Sequence, residues 1–161
     1  MILDERTELA DATALNTGAA GTYNVGDVID THVGSLNTTL NQGNGQPLYL
    51  VISVDTAIVL GSSTGTIQYK LVSDADNNPP STTTSTVHYT SSAFATATTA
   101  SDAAYTTAGS TPVIVALPHG SYERYLGLQQ VTGTTAISAG KINAFLTLDP
   151  AAWVATADNV A

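Results

Sequence analysis

Cysteine is absent from this chain, and charged residues are scarce. Only 11% of the 161 residues are charged, against roughly 25% in an average globular domain, and thirteen acidic residues outnumber four basic ones. Without cysteine the chain forms neither a disulfide framework nor a thiolate metal site. The formal net charge of −9 would repel a phosphate backbone, so we expect no nucleic-acid partner.

Long apolar runs are also missing. No stretch approaches the roughly 18 apolar residues of a membrane-spanning helix, and residues 1–9 lack the basic start and apolar run of a signal peptide. We therefore expect no membrane partner and no export signal. The hydrophobic content of 43%, in a chain of this length, suits one domain that buries roughly 70% of its unfolded surface.

What the sequence does contain is an alternation of apolar and polar residues with a period of two, interrupted by clusters of Gly, Asn, Ser and Pro. This pattern predicts an all-β protein, a jelly-roll-like antiparallel β-sandwich of about eight strands with extended N- and C-terminal arms. The predicted strands are residues 23–31, 48–55, 57–60, 66–73, 86–91, 111–118, 121–131 and 141–149, with a further short strand between residues 93 and 110. The predicted organisation is an N-terminal arm over 1–20, a sandwich domain over 21–149 and a C-terminal turn and tail over 150–161.

Two pairs of neighbouring strands are predicted to form hairpins. The first joins residues 57–60 to 66–73 through a turn bounded by two glycines, and the second joins 121–131 to 141–149 through small residues. Residues 74–84 are polar and contain proline, so we expect an exposed loop there.

One motif resembles a catalytic site. Residues 61–65, Gly-Ser-Ser-Thr-Gly, match the nucleophile elbow of hydrolases with Ser63 at the centre, and Asp102 and His119 follow in the hydrolase order. The elbow requires a helix after it, whereas residues 66–73 alternate as a strand. We therefore interpret the motif as a flexible turn and predict no catalytic residues and no enzymatic activity.

Metal-binding patterns are incomplete. Residues 74–78 begin like a calcium loop, but Pro79 stands where such a loop needs glycine and Ser85 where it needs a bidentate glutamate. No second ligand stands at ligand spacing from any of the three histidines, which are His32, His88 and His119. We predict no metal and no cofactor.

Tyrosine is the main aromatic residue, and one segment combines it with arginine. Tyr122 and Tyr125 are predicted on opposite faces of one strand, either as ordinary core and surface residues or as interface anchors. Arg124 shares a face with Leu126 and Leu128, so it needs an acceptor beside an apolar patch. That acceptor is a carboxylate of the same chain or of a neighbouring subunit.

Five segments carry a resemblance to a known family. They are residues 1–9 (Met-Ile-Leu-Asp-Glu-Arg-Thr-Glu-Leu), 45–55 (Gly-Gln-Pro-Leu-Tyr-Leu-Val-Ile-Ser-Val-Asp), 87–91 (Val-His-Tyr-Thr-Ser), 122–127 (Tyr-Glu-Arg-Tyr-Leu-Gly) and 140–153 (Gly-Lys-Ile-Asn-Ala-Phe-Leu-Thr-Leu-Asp-Pro-Ala-Ala-Trp). Together they resemble the capsid cement, or decoration, proteins of certain tailed bacteriophages. The resemblance implies a jelly-roll protein without enzymatic activity that lies outside an icosahedral shell and ties neighbouring capsomers together, as a homodimer at two-fold positions.

From this resemblance we expect a structural virion protein on the outer capsid surface, made in the host cytoplasm. Its expected partners are the phage major capsid protein and further copies of itself, with a dimer favoured over a trimer. The predicted interface residues are Leu3, Arg6, Leu9, Tyr122, Arg124, Tyr125, Lys141 and Trp153. The terminal segments, residues 1–15 and 150–161, are expected to form part of the clamp. The alternative is a carbohydrate-binding β-sandwich, an adhesin on the virion surface, which requires exposed aromatic platforms and polar loops.

Overall fold

The computed structural model describes residues 5–32, 47–61, 65–79, 84–95 and 104–150. Within these ranges nine β-strands follow a single 3₁₀ turn, Glu5–Thr7. The strands are β1 (Glu8–Ala14), β2 (Gly21–Asp30), β3 (Tyr49–Leu60), β4 (Thr66–Asp74), β5 (Thr86–Thr90), β6 (Phe94–Ala95), β7 (Val113–Ala116), β8 (Tyr125–Gly133) and β9 (Ile137–Thr147). The all-β class predicted from the alternation is confirmed. No helical segment in the described ranges has the length and hydropathy of a membrane span.

The strands form two antiparallel sheets. Sheet A has the order β1-β9-β3-β7, and sheet B has the order β2-β8-β4-β5, with β6 also paired to β4. Leaving β6 aside, the pairings β1 with β9, β2 with β8, β3 with β7 and β4 with β5 are nested, so the first half of the chain lies against the second half in reverse order. Nested antiparallel pairing divided over two sheets is the jelly-roll arrangement, as predicted.

The inner faces of the two sheets enclose one apolar core. From sheet B, the side chains of Ile67, Tyr69 and Leu71 point inward at alternate positions of β4, as the period of two predicts. From sheet A, Ile142 and Leu146 of β9 do the same. Side chains of both sheets belong to one contiguous cluster, so the two sheets stabilise each other by burying apolar surface.

The two predicted hairpins are wrong in their pairing. β3 belongs to sheet A and β4 to sheet B, and β8 and β9 are likewise divided between the sheets. β3 is also one continuous strand where the sequence predicted two. Each of the four strands has side chains that face the core. Because the two strands of each predicted hairpin lie in opposite sheets, their apolar faces pack against each other across the core. Alternation predicts which side chains face the core but not which sheet holds the strand.

The predicted N-terminal arm contains β1, an edge strand of sheet A. Leu9 is 0% exposed, and the Ala12 amide donates a 2.6 Å hydrogen bond to Asn143 Oδ1 of β9. Gly26 lets β1 approach β2, because it adopts a φ of 70° and any side chain there would collide with the Leu9 carbonyl oxygen. The prediction of an arm is therefore wrong for residues 8–14. Their alanines and two register shifts hide the alternation that marks a strand.

The loop after β4 covers the outer face of sheet B. Pro79 is buried above Gly127, where an added Cβ would lie only 3.3 Å from Pro79 Cγ. Asn24 Nδ2 donates a 2.8 Å hydrogen bond to the Pro79 carbonyl oxygen, and Asn24 Oδ1 accepts one from Gln129 Nε2 at 3.1 Å. The predicted exposed loop is thus correct for residues 75–78, which are exposed, and wrong for Pro79, which the polar contacts hold against the sheet.

Candidate interaction surface

The segment that enters β8 carries two predicted interface tyrosines, and only the second belongs to the strand. β8 begins at Tyr125, so the prediction that Tyr122 and Tyr125 occupy opposite faces of one strand is wrong. Tyr122 is 4% exposed and belongs to the core. Its hydroxyl donates to the Pro118 carbonyl oxygen at 2.7 Å, and its ring stacks on His88 with centroids 3.9 Å apart. Tyr122 therefore holds the entering segment to the sandwich and is not accessible to a partner.

A β-bulge directs His88 toward this segment. Leu71 pairs with Tyr89, but the next residue of β4, Val72, pairs with Val87, so His88 is the extra residue of β5. Val87 is consequently exposed, whereas Tyr89 packs against the core. Strict alternation would place Val87 and Tyr89 on the same face, and the bulge is the reason that their surroundings differ.

Ser73 joins His88 to the entering segment. Its Oγ lies 2.7 Å from His88 Nε2 and accepts the Glu123 N–H at 3.1 Å. Burial lowers the pKa of His88 below its ordinary value of 6.5, which favours the neutral ring. A Ser–His pair at this distance has the geometry of a nucleophile and its base, but Ser73 is fully buried. The pair is therefore a structural tie between β4, β5 and the segment before β8.

Arg124 and Asp30 form an exposed ion pair where β2 ends and β8 begins. Arg124 donates from Nε to Asp30 Oδ1 at 3.1 Å and from Nη2 to Asp30 Oδ2 at 2.8 Å, and the side chains are 41% and 43% exposed. The guanidinium carbon lies 4.8 Å from the centre of the Tyr125 ring. The hydrogen bond from Arg124 lowers the pKa of Asp30 from 3.8 to about 2. Of the two acceptors that the sequence left open for Arg124, the structure contains the intramolecular one.

The other predicted interface residues lie elsewhere. Leu9 is in the core, where a partner cannot reach it. Lys141 is exposed on β9 of sheet A, whereas Arg124 lies at the end of sheet B. Arg6 is exposed in the 3₁₀ turn. Four residues singled out from the sequence lie outside the described ranges, namely Leu3, Ser63, Asp102 and Trp153.

The described ranges contain no group of three His, Cys, Asp or Glu side chains placed to hold a metal ion. Asp74, the first residue of the calcium-like segment, accepts the Asp76 N–H on one carboxylate oxygen and the Ser85 hydroxyl on the other, both at 3.0 Å. These two bonds close the base of the loop, so Asp74 has a structural role there.

Sequence reasoning missed an aromatic pocket beside β6. The pocket has a volume of about 330 Å³, and Tyr89, Phe94 and Tyr105 contribute to its lining. The rings of Phe94 and Tyr105 stack with centroids 4.9 Å apart. The one available signal was the presence of these two aromatic residues in a region that otherwise consists almost entirely of Ala, Thr and Ser.

Comparison with known proteins identifies the family. No curated protein matches the chain. The sequence profile of the Bbp16 family matches residues 9–146, a range that runs from the second residue of β1 to the penultimate residue of β9 and so contains all of the sandwich except its first and last strand residues. By this match the chain belongs to the Bbp16 family, whose name indicates a bacteriophage protein.

Proposed function

We propose that this protein is a structural virion protein that binds the outside of an icosahedral tailed-phage capsid and cements neighbouring major-capsid-protein capsomers. The observation that carries the proposal is the family match, because it assigns nearly the entire sandwich to a family with a phage name. The segments that resemble cement proteins support the same function, and so does the nested jelly-roll order.

The surface chemistry around Arg124 suits docking. Two of its three guanidinium nitrogens are held by Asp30, whereas Nη1 makes no hydrogen bond to the described part of the chain. A guanidinium already fixed by an ion pair and an adjacent ring loses little side-chain entropy on binding, and its free edge suits a carbonyl or carboxylate oxygen. We propose that Arg124 and Tyr125 contact the major capsid protein through this edge.

Burial changes the set of proposed contacts. Leu9 and Tyr122 are withdrawn because both lie in the core. Arg6 and Lys141 are kept because both are exposed. Leu3 and Trp153 remain predictions from the sequence.

Assembly on a shell relies on many copies, so each contact needs only modest affinity. Repeated attachment raises avidity through effective concentration, and the shell gains resistance to internal pressure. We propose that the protein acts as a homo-oligomer, a dimer in the first place, on the outer capsid surface. Nucleic acid, membranes and enzymatic turnover have no part in the proposal.

The test is co-sedimentation of the purified protein with empty shells of its phage. We expect saturable binding of the wild type and weaker binding of Arg124→Ala, by roughly threefold to tenfold for one lost contact per copy. Lys70→Ala is the matched control, because Lys70 is a partly exposed cation of sheet B that is not a proposed contact. If the folded wild type stays in the supernatant at saturating concentration, the proposal is wrong.

The terminal clamp needs a different deletion from the one that the sequence favoured. Removing residues 1–15 would also remove β1 and uncover the core around Leu9. Deleting residues 1–4, or replacing Arg6 by Ala, leaves β1 intact. Unchanged co-sedimentation of both variants would exclude the N-terminal part of the clamp.

A further inference from the structure

The aromatic pocket lies between β5, β6 and the chain that precedes β7. Tyr89 comes from β5, Phe94 from β6, and Tyr105 and Pro112 from the preceding chain. Ser92 and two alanines complete the described part of the lining, and none of these described residues is charged. The lining that the structure describes is therefore uncharged, in a protein whose formal net charge is −9.

Tyr105 forms an exposed wall of the pocket. It is 43% exposed although its ring rests on Phe94, so much of its surface remains open to solvent. Phe94 is supported from the core by Tyr69, whose ring centroid lies 6.3 Å away. The pocket thus combines a stacked pair of rings, Phe94 and Tyr105, with tyrosine and serine side chains that carry hydroxyl groups.

These features define the chemistry of a ligand. It is uncharged, it has a flat apolar surface that stacks on a ring, and it carries polar groups that reach tyrosine and serine hydroxyls. A neutral sugar meets all three requirements, because a pyranose presents C–H bonds on one face and hydroxyls around its edge. The volume of 330 Å³ lies at the lower end of the range for ligand pockets and suits a short saccharide. A proline-rich peptide would instead need an extended aromatic groove.

We propose that the pocket lined by Tyr89, Phe94 and Tyr105 binds a neutral saccharide, with Tyr105 as the stacking platform. This activity is separate from the proposed binding to a capsid and uses different residues. On a particle that carries many copies, weak individual binding would add up to a useful affinity for a glycan-covered surface.

The test is an NMR titration of the isotope-labelled full chain with maltotriose, cellotriose, lactose and mannobiose, and with sialyllactose as an anionic counterpart. We expect saturable shifts of the Ser92, Phe94 and Tyr105 amides with at least one neutral sugar, at a Kd of about 1–10 mM. Tyr105→Ala should weaken this binding roughly fivefold or more, as expected for one lost aromatic contact. Val87→Ala is the control, because Val87 is exposed on β5 but does not line the pocket.

Three results would overturn the inference. The first is the absence of saturable shifts with every neutral sugar, and the second is equal binding by Tyr105→Ala and the wild type. The third is tighter binding of sialyllactose than of any neutral sugar. Shell co-sedimentation of Tyr105→Ala should equal that of the wild type, so failure of the saccharide inference and failure of the proposed function give different results.

Discussion

Tyr122 and Arg124 are two residues apart in the chain, yet they have opposite surroundings. Tyr122 is buried, stacked on His88 and bonded to the Pro118 carbonyl oxygen, whereas Arg124 is exposed and paired with Asp30. Because Tyr122 is buried, its contacts are important for stability, since lost packing and unpaired buried groups are costly. Because Arg124 is exposed, its ion pair with Asp30 adds little to stability, and its side chain is accessible for binding. The comparison implies that the stability of the fold and the proposed binding to a shell depend on different residues of the segment 122–125.

The largest effect is expected from Tyr122→Ala. Removing this ring leaves a cavity beside His88, so we expect the free energy of unfolding to fall by about 3–5 kcal/mol, as for other large aromatic truncations. Chemical denaturation measures this change. Tyr122→Phe is the control, which keeps the ring and loses only the hydrogen bond to Pro118, for about 1 kcal/mol. Equal losses in the two variants would contradict the role of packing.

A smaller effect is expected from Ser73→Ala. This change leaves the partly buried Glu123 N–H and His88 Nε2 without their shared partner, at a cost of about 1–3 kcal/mol. Ser138→Ala is the matched control, because Ser138 is exposed and its hydroxyl bonds only to the Val59 carbonyl oxygen, so its effect should stay within about 0.5 kcal/mol. Denaturation curves that do not distinguish the two variants would exclude the structural tie.

The same tie should respond to pH. The pKa of His88 is lowered in the folded protein, so as pH falls below 6.5 the unfolded chain is protonated before the folded one. The free energy of unfolding therefore decreases as pH falls below 6.5. Thermal midpoints at about pH 7.5 and about pH 5.5 measure this loss. His88→Gln keeps a hydrogen-bonding group but does not titrate, so its midpoint should change less between the two conditions. An identical change in both proteins would show that His88 is not responsible.

The smallest effect on stability is expected from Arg124→Ala. The pair with Asp30 is solvent-exposed, so its contribution is small and falls with added salt. The pKa of Asp30 is lowered from 3.8 to about 2, so this contribution is present above pH 3.8 and is lost as pH falls from 3.8 to about 2. Denaturation of Arg124→Ala, Asp30→Asn and the double variant should give nearly equal small losses. If Arg124→Ala lowered the free energy of unfolding as much as Tyr122→Ala, the proposed difference between Arg124 and Tyr122 would be wrong.

Much of the fold was predictable from alternation alone. Ile67, Tyr69 and Leu71 stand at alternate positions of the sequence and lie together in the core, as a period of two predicts. Alternation does not predict which sheet each strand joins, because that depends on contacts between distant parts of the chain. β1 was missed because alanine gives a weak apolar signal, and the orientation of His88 was missed because a bulge is not visible in a strict period of two.

The candidate site was predictable in part. The sequence singles out the segment 122–125 for its aromatic and cationic residues, but it does not tell which of them belong to the core. Which of these residues is buried depends on where β8 begins, and the apolar pattern continues through that boundary without marking it. The aromatic pocket was missed because Phe94 and Tyr105 meet only after folding.

The most direct test of the central claim is electron cryo-microscopy of empty phage shells mixed with saturating purified protein. We expect jelly-roll density on the outside of the shell, bridging neighbouring capsomers, with the Arg124 end of sheet B against the major capsid protein. Bare shells imaged beside correctly folded protein would contradict it.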